Sequence, residues 1–167
     1  MYTNVGSYWY KFDFHTHTPA SSDYKAPAET AKEWLIALME REVDCVAVTD
    51  HVSGAWIDIL KQELKALETS YQEYRPLILF PGCEITVSTG QSRVHILSIF
   101  DPSCGTAKIN GVLGMCGITE GHGDAESTCA TESVDKVIEL ISKENGIAIP
   151  AHIDGPKGLL KDRKSVV

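Results

Sequence analysis

The sequence predicts an α/β protein built on parallel strands, and three observations lead there. Strand-like and helix-like segments alternate along the chain. Five of its six histidines fall in or at the ends of the strand-like segments. A length of 167 residues with 43% hydrophobic content suffices for one domain with a buried core.

The first strand is expected over residues 10–15, Tyr-Lys-Phe-Asp-Phe-His, with Phe12 and Phe14 sharing a face. Ser21-Ser22-Asp23 reads as a loop, and Pro27 suits a helix start. The helix from Glu29 to Arg41 carries Trp34, Leu35, Leu38 and Met39 at helical spacing. Val43 to Thr49 is a β-branched run that ends in Asp50-His51. A second amphipathic helix, from Trp56 to Tyr74, places Ile57, Leu60, Leu64, Leu67 and Tyr71 on one side. Pro76 to Phe80 leads into Gly82–Val87, and Val94 to Phe100 forms a further strand. Asp101 to Thr131, rich in Gly, Ser and Cys, is expected to be irregular. A helix from Ser133 to Lys143 stops near Asn145-Gly146, before a short strand over residues 147–151. No internal repeat is visible, and residues 1–167 read as a single domain.

Composition narrows the function classes. A formal charge of −8 argues against a broad non-specific nucleic-acid surface, which needs clustered Lys and Arg. An anionic substrate is still compatible, because divalent cations in a pocket reverse the local sign. No apolar run approaches a membrane span, and residues 1–4 lack the basic start of a signal peptide. Five cysteines in no framework spacing fit a reducing compartment, so the expected location is cytoplasmic. Cys104, Cys116, Cys129 and His122 share the irregular stretch but lack the Cys-x2-Cys knuckle of a structural zinc site.

The histidines carry the chemistry. His15 and His17 end the first strand, His51 the second and His152 the last, while His95 lies within a strand. Acids accompany them at Asp50, Glu84 and Asp154. In a parallel β/α arrangement the strand C-termini open on one face, so ligands scattered in sequence converge. One histidine in such a place is more commonly a core or surface residue; the joint pattern favours a metal site. In His15-x-His17 the two side chains leave a strand on the same face, and Asp23 adds a carboxylate, a mixture suited to Zn²⁺, Mn²⁺ or Fe²⁺.

These segments together resemble the PHP (polymerase and histidinol phosphatase) family. Phe12-Asp13-Phe14-His15-Thr16-His17-Thr18 with Ser21-Ser22-Asp23 resembles its first motif, and Val46-Ala47-Val48-Thr49-Asp50-His51 its second. Pro81-Gly82-Cys83-Glu84-Ile85-Thr86 with Val94-His95-Ile96-Leu97 resembles the third, and Ile149-Pro150-Ala151-His152 the fourth. The resemblance implies a distorted (β/α)7 barrel that binds two to three divalent ions of Mn, Fe or Zn. By it, His15 and His17 hold one ion and Glu84 bridges to a second, completed by His95 and His152; Asp23 and His51 hold a third.

The family pattern closes on an Asp-x-His pair that has no counterpart after His152, where Asp154 stands in the reversed order His-x-Asp. The C-terminal strands of the barrel are therefore expected to be missing, the chain being an N-terminal portion of a longer protein. Gly6–Lys11 and Val112–Gly117 further resemble PHP modules that precede an AAA-like or SMC-like ATPase region, although no P-loop occurs here. The implied activity is hydrolysis of a phosphomonoester or phosphodiester by metal-bound hydroxide, with a phosphorylated small molecule or nucleic-acid end as substrate. Asp13 and Asp50 either orient imidazoles or cap strand ends. Arg93 and Lys157 stand near motifs as candidate phosphate contacts, solvated surface charge being the plainer account. Two other classes remain open: a non-catalytic PHP module that regulates or docks an attached enzyme, and an amidohydrolase-like enzyme, which also uses His-x-His.

Overall fold

The computed structural model describes residues 9–90, 92–120, 123–124, 127–155 and 158. Five strands and four helices follow in the order β1 (Phe12–Thr16), α1 (Ala31–Glu40), β2 (Cys45–Val48), α2 (Ile57–Ser70), β3 (Ile78–Ser88), β4 (Arg93–Ile99), α3 (Thr106–Met115), α4 (Val134–Lys143) and β5 (Ile147–Pro150). The strands form one sheet in sequence order, curled like part of a barrel wall. Among the described residues no further strand closes it, so the complete (β/α)7 barrel is not seen in this part of the chain.

The expectation of a sheet built on parallel strands holds for its first three strands only. β1, β2 and β3 pair in parallel, but β3–β4 and β4–β5 are antiparallel. A short reversal around Thr89–Ser92 joins β3 to β4, with Gly90 at φ 86° supplying the left-handed turn residue. Seven register pairs, from Gly82↔Ile99 to Ser88↔Arg93, lock this hairpin. The reversal has a functional consequence. It sets the start of β4, and with it His95, at the same rim as the ends of the parallel strands.

Two helical expectations also change. α1 starts at Ala31 rather than near Pro27, because Thr30 and Glu33 form a reciprocal capping box. The stretch from 101 to 131 is not irregular throughout, since it contains α3. Ile109, Val112, Leu113 and Cys116 form its buried stripe, while the helix-weakening Gly111 and Gly114 face open space.

The main core lies between the four helices and the convex face of the sheet. Leu35, Leu60, Ile109 and Ile141 from the helices meet Val46, Val48, Ile85 and Ile96 from the strands, all of them fully buried. Burial of each such side chain contributes about 2 kcal/mol. The opposite, concave face is also apolar below the rim. Phe14, Phe80, Ile99, Ile147 and Ile149 line part of a groove of about 300 Å³, with Phe12, Ile78 and Ile147 exposed.

Gly82 marks the tightest strand contact. A Cβ there would lie 2.4 Å from the Ser98 carbonyl oxygen, a backbone atom that cannot move alone. Gly82→Ala is expected to lower unfolding free energy by about 2 kcal/mol or more, as overpacking does. Urea denaturation would check this, and an unchanged midpoint would show that the hairpin yields without cost.

Candidate metal centre

A bulge in β1 aims the first ligands. Its register with β2 runs Asp13↔Val46 and then Thr16↔Val48, so Phe14 and His15 together oppose a single residue. Both side chains thereby reach the concave side, Phe14 against the Phe80 ring and His15 against Glu84. Side chains patch the interrupted ladder: Thr16 N–H donates to Thr49 Oγ1 (3.0 Å), and Thr16 Oγ1 donates to the Ala47 carbonyl (2.7 Å).

Glu84, in the middle of β3 and only 1% exposed, is the centre. Its Oε2 lies 3.2 Å from His15 Nε2, 3.5 Å from His17 Nε2 and 3.0 Å from His51 Nδ1. Its Oε1 lies 2.6 Å from His95 Nδ1 and 3.3 Å from His152 Nε2. The five imidazoles close a ring around it, with centroid separations of 5.2 Å (His15–His17), 4.5 Å (His17–His51), 5.7 Å (His51–His95), 5.2 Å (His95–His152) and 5.8 Å (His152–His15). Asp23, exposed at the mouth, stands 3.4 Å from His51 Nε2.

The donor set fits a divalent cation. Two groups, His15–His17–Glu84 and His51–Glu84–His95, have ligand atoms close enough to share an ion. Among the described residues the buried His95 Nε2 lacks a hydrogen-bond partner, an arrangement that costs free energy unless something fills it. Mixed imidazole and carboxylate donors suit Zn²⁺, Mn²⁺ or Fe²⁺.

The electrostatics follow from one buried anion among five imidazoles. Burial works against the Glu84 carboxylate, but hydrogen bonds from His15, His51 and His95 outweigh it and hold the carboxyl far below the usual range. For His51, burial opposes the charged form, yet Glu84 and Asp23 raise its pKa overall. Burial, then His51, push His17 from 6.5 down to about 4. Between those values an unfolded chain takes up a proton that folded His17 refuses. Its contribution to stability is complete above pH 6.5 and lost as pH falls toward 4, at most about 3 kcal/mol. Urea melts of the metal-free protein at pH 7, 5.5 and 4 are expected to show a shallower decline for His17→Asn than for the wild type.

Several supports hold the ligands in place. Val52 N–H donates to the Glu84 carbonyl (2.9 Å) and Glu84 N–H to the Asp50 carbonyl (3.0 Å), so backbone bonds bracket His51. Val52 pays for this with φ 41°, a costly conformation for a β-branched residue. The buried Trp34 donates its indole N–H to the His17 carbonyl (3.0 Å).

Asp13 and Asp50 take different roles. Asp13 is exposed, and its carboxylate accepts the backbone N–H of His15 (3.3 Å) within the β1 bulge. Asp50 is fully buried and accepts from Thr18 N–H (2.6 Å), Thr18 Oγ1 (2.6 Å) and Ser21 Oγ (2.8 Å). Arg93 opens β4 opposite Ser88 and by strand alternation shares the face of His95. Lys157 and His122 lie outside the described residues. Cys116 packs into the core, and among the described residues no cysteine joins a metal-binding group. Asp154 is exposed and joins neither group. Sequence reasoning assigned no role to Thr18, Ser21 or Trp34; only the position of the first two between His17 and Asp23 hinted at one.

Comparison with known proteins adds a fold likeness. The chain superposes on a crystal structure from Bifidobacterium adolescentis described as a metal-dependent phosphoesterase, with a TM-score of 0.59 and 18% identity, over 86% of this chain and 67% of that one. The likeness is one of fold. A structure of an amidohydrolase from Chromobacterium violaceum aligns with a TM-score of 0.43 and 23% identity, over 64% of this chain and 33% of that one. No family model matches the chain, and no curated protein matches it significantly. Among the described residues no helix is long and apolar enough to cross a membrane.

Proposed function

We propose that this protein is a divalent-metal-dependent hydrolase of the PHP kind that cleaves a phosphomonoester or phosphodiester. One observation carries the reading: the two oxygens of a buried glutamate divide five imidazoles into two sets, three on Oε2 and two on Oε1. His15, His17 and Glu84 would hold one ion, Glu84, His95 and His152 a second, and His51 with Asp23 a third. When bound, such ions acidify water and neutralise phosphoryl charge. The chain's own residues supply the frame. Glu84 offers one oxygen to each set, so neither can move without the other. Asp23, exposed at the mouth, leaves one side of the site open to water and substrate. Arg93, on the rim face of His95, would meet a substrate phosphate. A phosphorylated small molecule or a nucleic-acid end would suit such a mouth, and an attached ATPase region in a longer protein remains part of the proposal.

The test is elemental analysis of the purified chain followed by turnover of 4-nitrophenyl phosphate and bis(4-nitrophenyl) phosphate with added Mn²⁺. Two or more ions per chain and phosphoester turnover that a chelator abolishes would support the reading. Bound metal with turnover of amides or lactones alone would replace phosphoesters by an amidohydrolase substrate. Absence of metal after reconstitution would sink the metal reading.

A further inference from the structure

Ser21 is 2% exposed and its hydroxyl has three neighbours within hydrogen-bond distance. These are Asp50 Oδ1 at 2.8 Å, the His51 backbone nitrogen at 3.1 Å and His17 Nδ1 at 3.1 Å. A hydroxyl has one proton to give and two lone pairs to receive. The backbone N–H of His51 can only donate, so it takes one lone pair. Asp50 Oδ1 already accepts the Thr18 N–H at 2.6 Å, which identifies it as an acceptor, and the Ser21 proton goes there. One lone pair is left for His17, and Nδ1 must bring the proton.

We propose that Ser21 is a positioning residue that fixes the His17 ring as its Nδ1–H tautomer, leaving the Nε2 lone pair directed at the Glu84 centre. The inference rests on the metal reading for its purpose, though not for its geometry. Nε2 stands 3.5 Å from Glu84 Oε2. A lone pair facing a carboxylate oxygen is repulsive unless a cation lies between them, so the tautomer suits a ligand rather than a hydrogen-bond donor. The Trp34 bond to the His17 carbonyl fixes the backbone on which the ring turns. A chain of buried contacts thus runs from Asp50 through Ser21 to His17, and the same hydroxyl holds the His51 backbone. One side chain sets two ligands.

The experiment is a long-range ¹H–¹⁵N correlation on the full chain labelled with ¹⁵N-histidine, metal-free at pH 7.5, with His17 assigned from the signals lost in His17→Gln. Mn²⁺ affinity is measured by calorimetry on the same samples. The expected wild-type result is a protonated, pyrrole-like Nδ1 and an unprotonated Nε2 on His17. Ser21→Ala should mix the tautomers and weaken Mn²⁺ binding roughly 10- to 100-fold, the range for losing an outer partner of a ligand. Ser21→Thr, which keeps the hydroxyl, should restore both. A wild-type His17 protonated on Nε2 overturns the proposal, as does Ser21→Ala with tautomer and affinity unchanged. Should Ser21→Ala fail to fold, the wild-type spectrum still decides. The expected tautomer in a chain that binds no Mn²⁺ would uphold the role of Ser21 and refute the metal reading alone.

Discussion

Glu84→Ala is expected to remove metal from both halves of the site at once, with affinity falling by more than about 100-fold, beyond the loss of an outer partner. The reason is the division of its carboxylate. Oε2 faces His15, His17 and His51, and Oε1 faces His95 and His152, so one side chain belongs to every set except Asp23. His152→Ala provides the contrast. It touches only Oε1 and is among the more open of the five imidazoles, so it should deplete one ion and spare the others. Elemental analysis of the two variants side by side tests the bridge. If Glu84→Ala kept the stoichiometry of His152→Ala, the carboxylate would serve one ion and the imidazole sets would be independent.

Asp50→Ala is expected to have the largest effect on folding. It would leave the Thr18 N–H, the Thr18 hydroxyl and the Ser21 hydroxyl without their acceptor in a fully buried place. At roughly 1–3 kcal/mol for each stranded group, the loss in unfolding free energy should reach about 3–5 kcal/mol. Asp50→Asn retains an oxygen and should lose less. Burial raises the Asp50 carboxyl above its ordinary 3.8, against the pull of the Thr18 and Ser21 bonds. The folded state therefore keeps a proton that the unfolded chain releases, and this group alone makes stability fall as pH rises through that window. Denaturant titrations of wild type and Asp50→Asn across acidic pH should diverge with that sign. Equal slopes would show that Asp50 stays ionised throughout.

The order of elements was legible because hydrophobic period and turn residues point the same way in α1, α2, α4, β2 and β5. The direction of β4 was not, since a strand's residues do not encode which neighbour it runs against. The reversal at Thr89-Gly90 became visible in the structure. α3 escaped because Gly111 and Gly114 lower helix propensity, and its buried stripe is visible only once a partner surface is known. In the site, the seven ligand candidates follow from histidines and acids in or beside strand-like segments together with the motif resemblance, and the fold brings all seven together. The separate fates of Asp13 and Asp50 could not be read, because both precede a ligand and only burial distinguishes them.

The ring of imidazoles also measures the bend of the sheet. His15 comes from β1 at one edge and His152 from the end of β5 at the other, yet their rings stack at 5.8 Å. Two edges of a five-stranded sheet meet in this way only if the sheet bends sharply on itself. Flattening would part this pair first, before it disturbed any neighbouring strands. An ion shared across Glu84 would therefore act as a clasp between first and last strand, resisting relaxation of the arc. Occupancy and curvature would then be coupled: ions held around Glu84 would favour the tight arc, and whatever keeps the arc tight should raise affinity at a distance from every ligand.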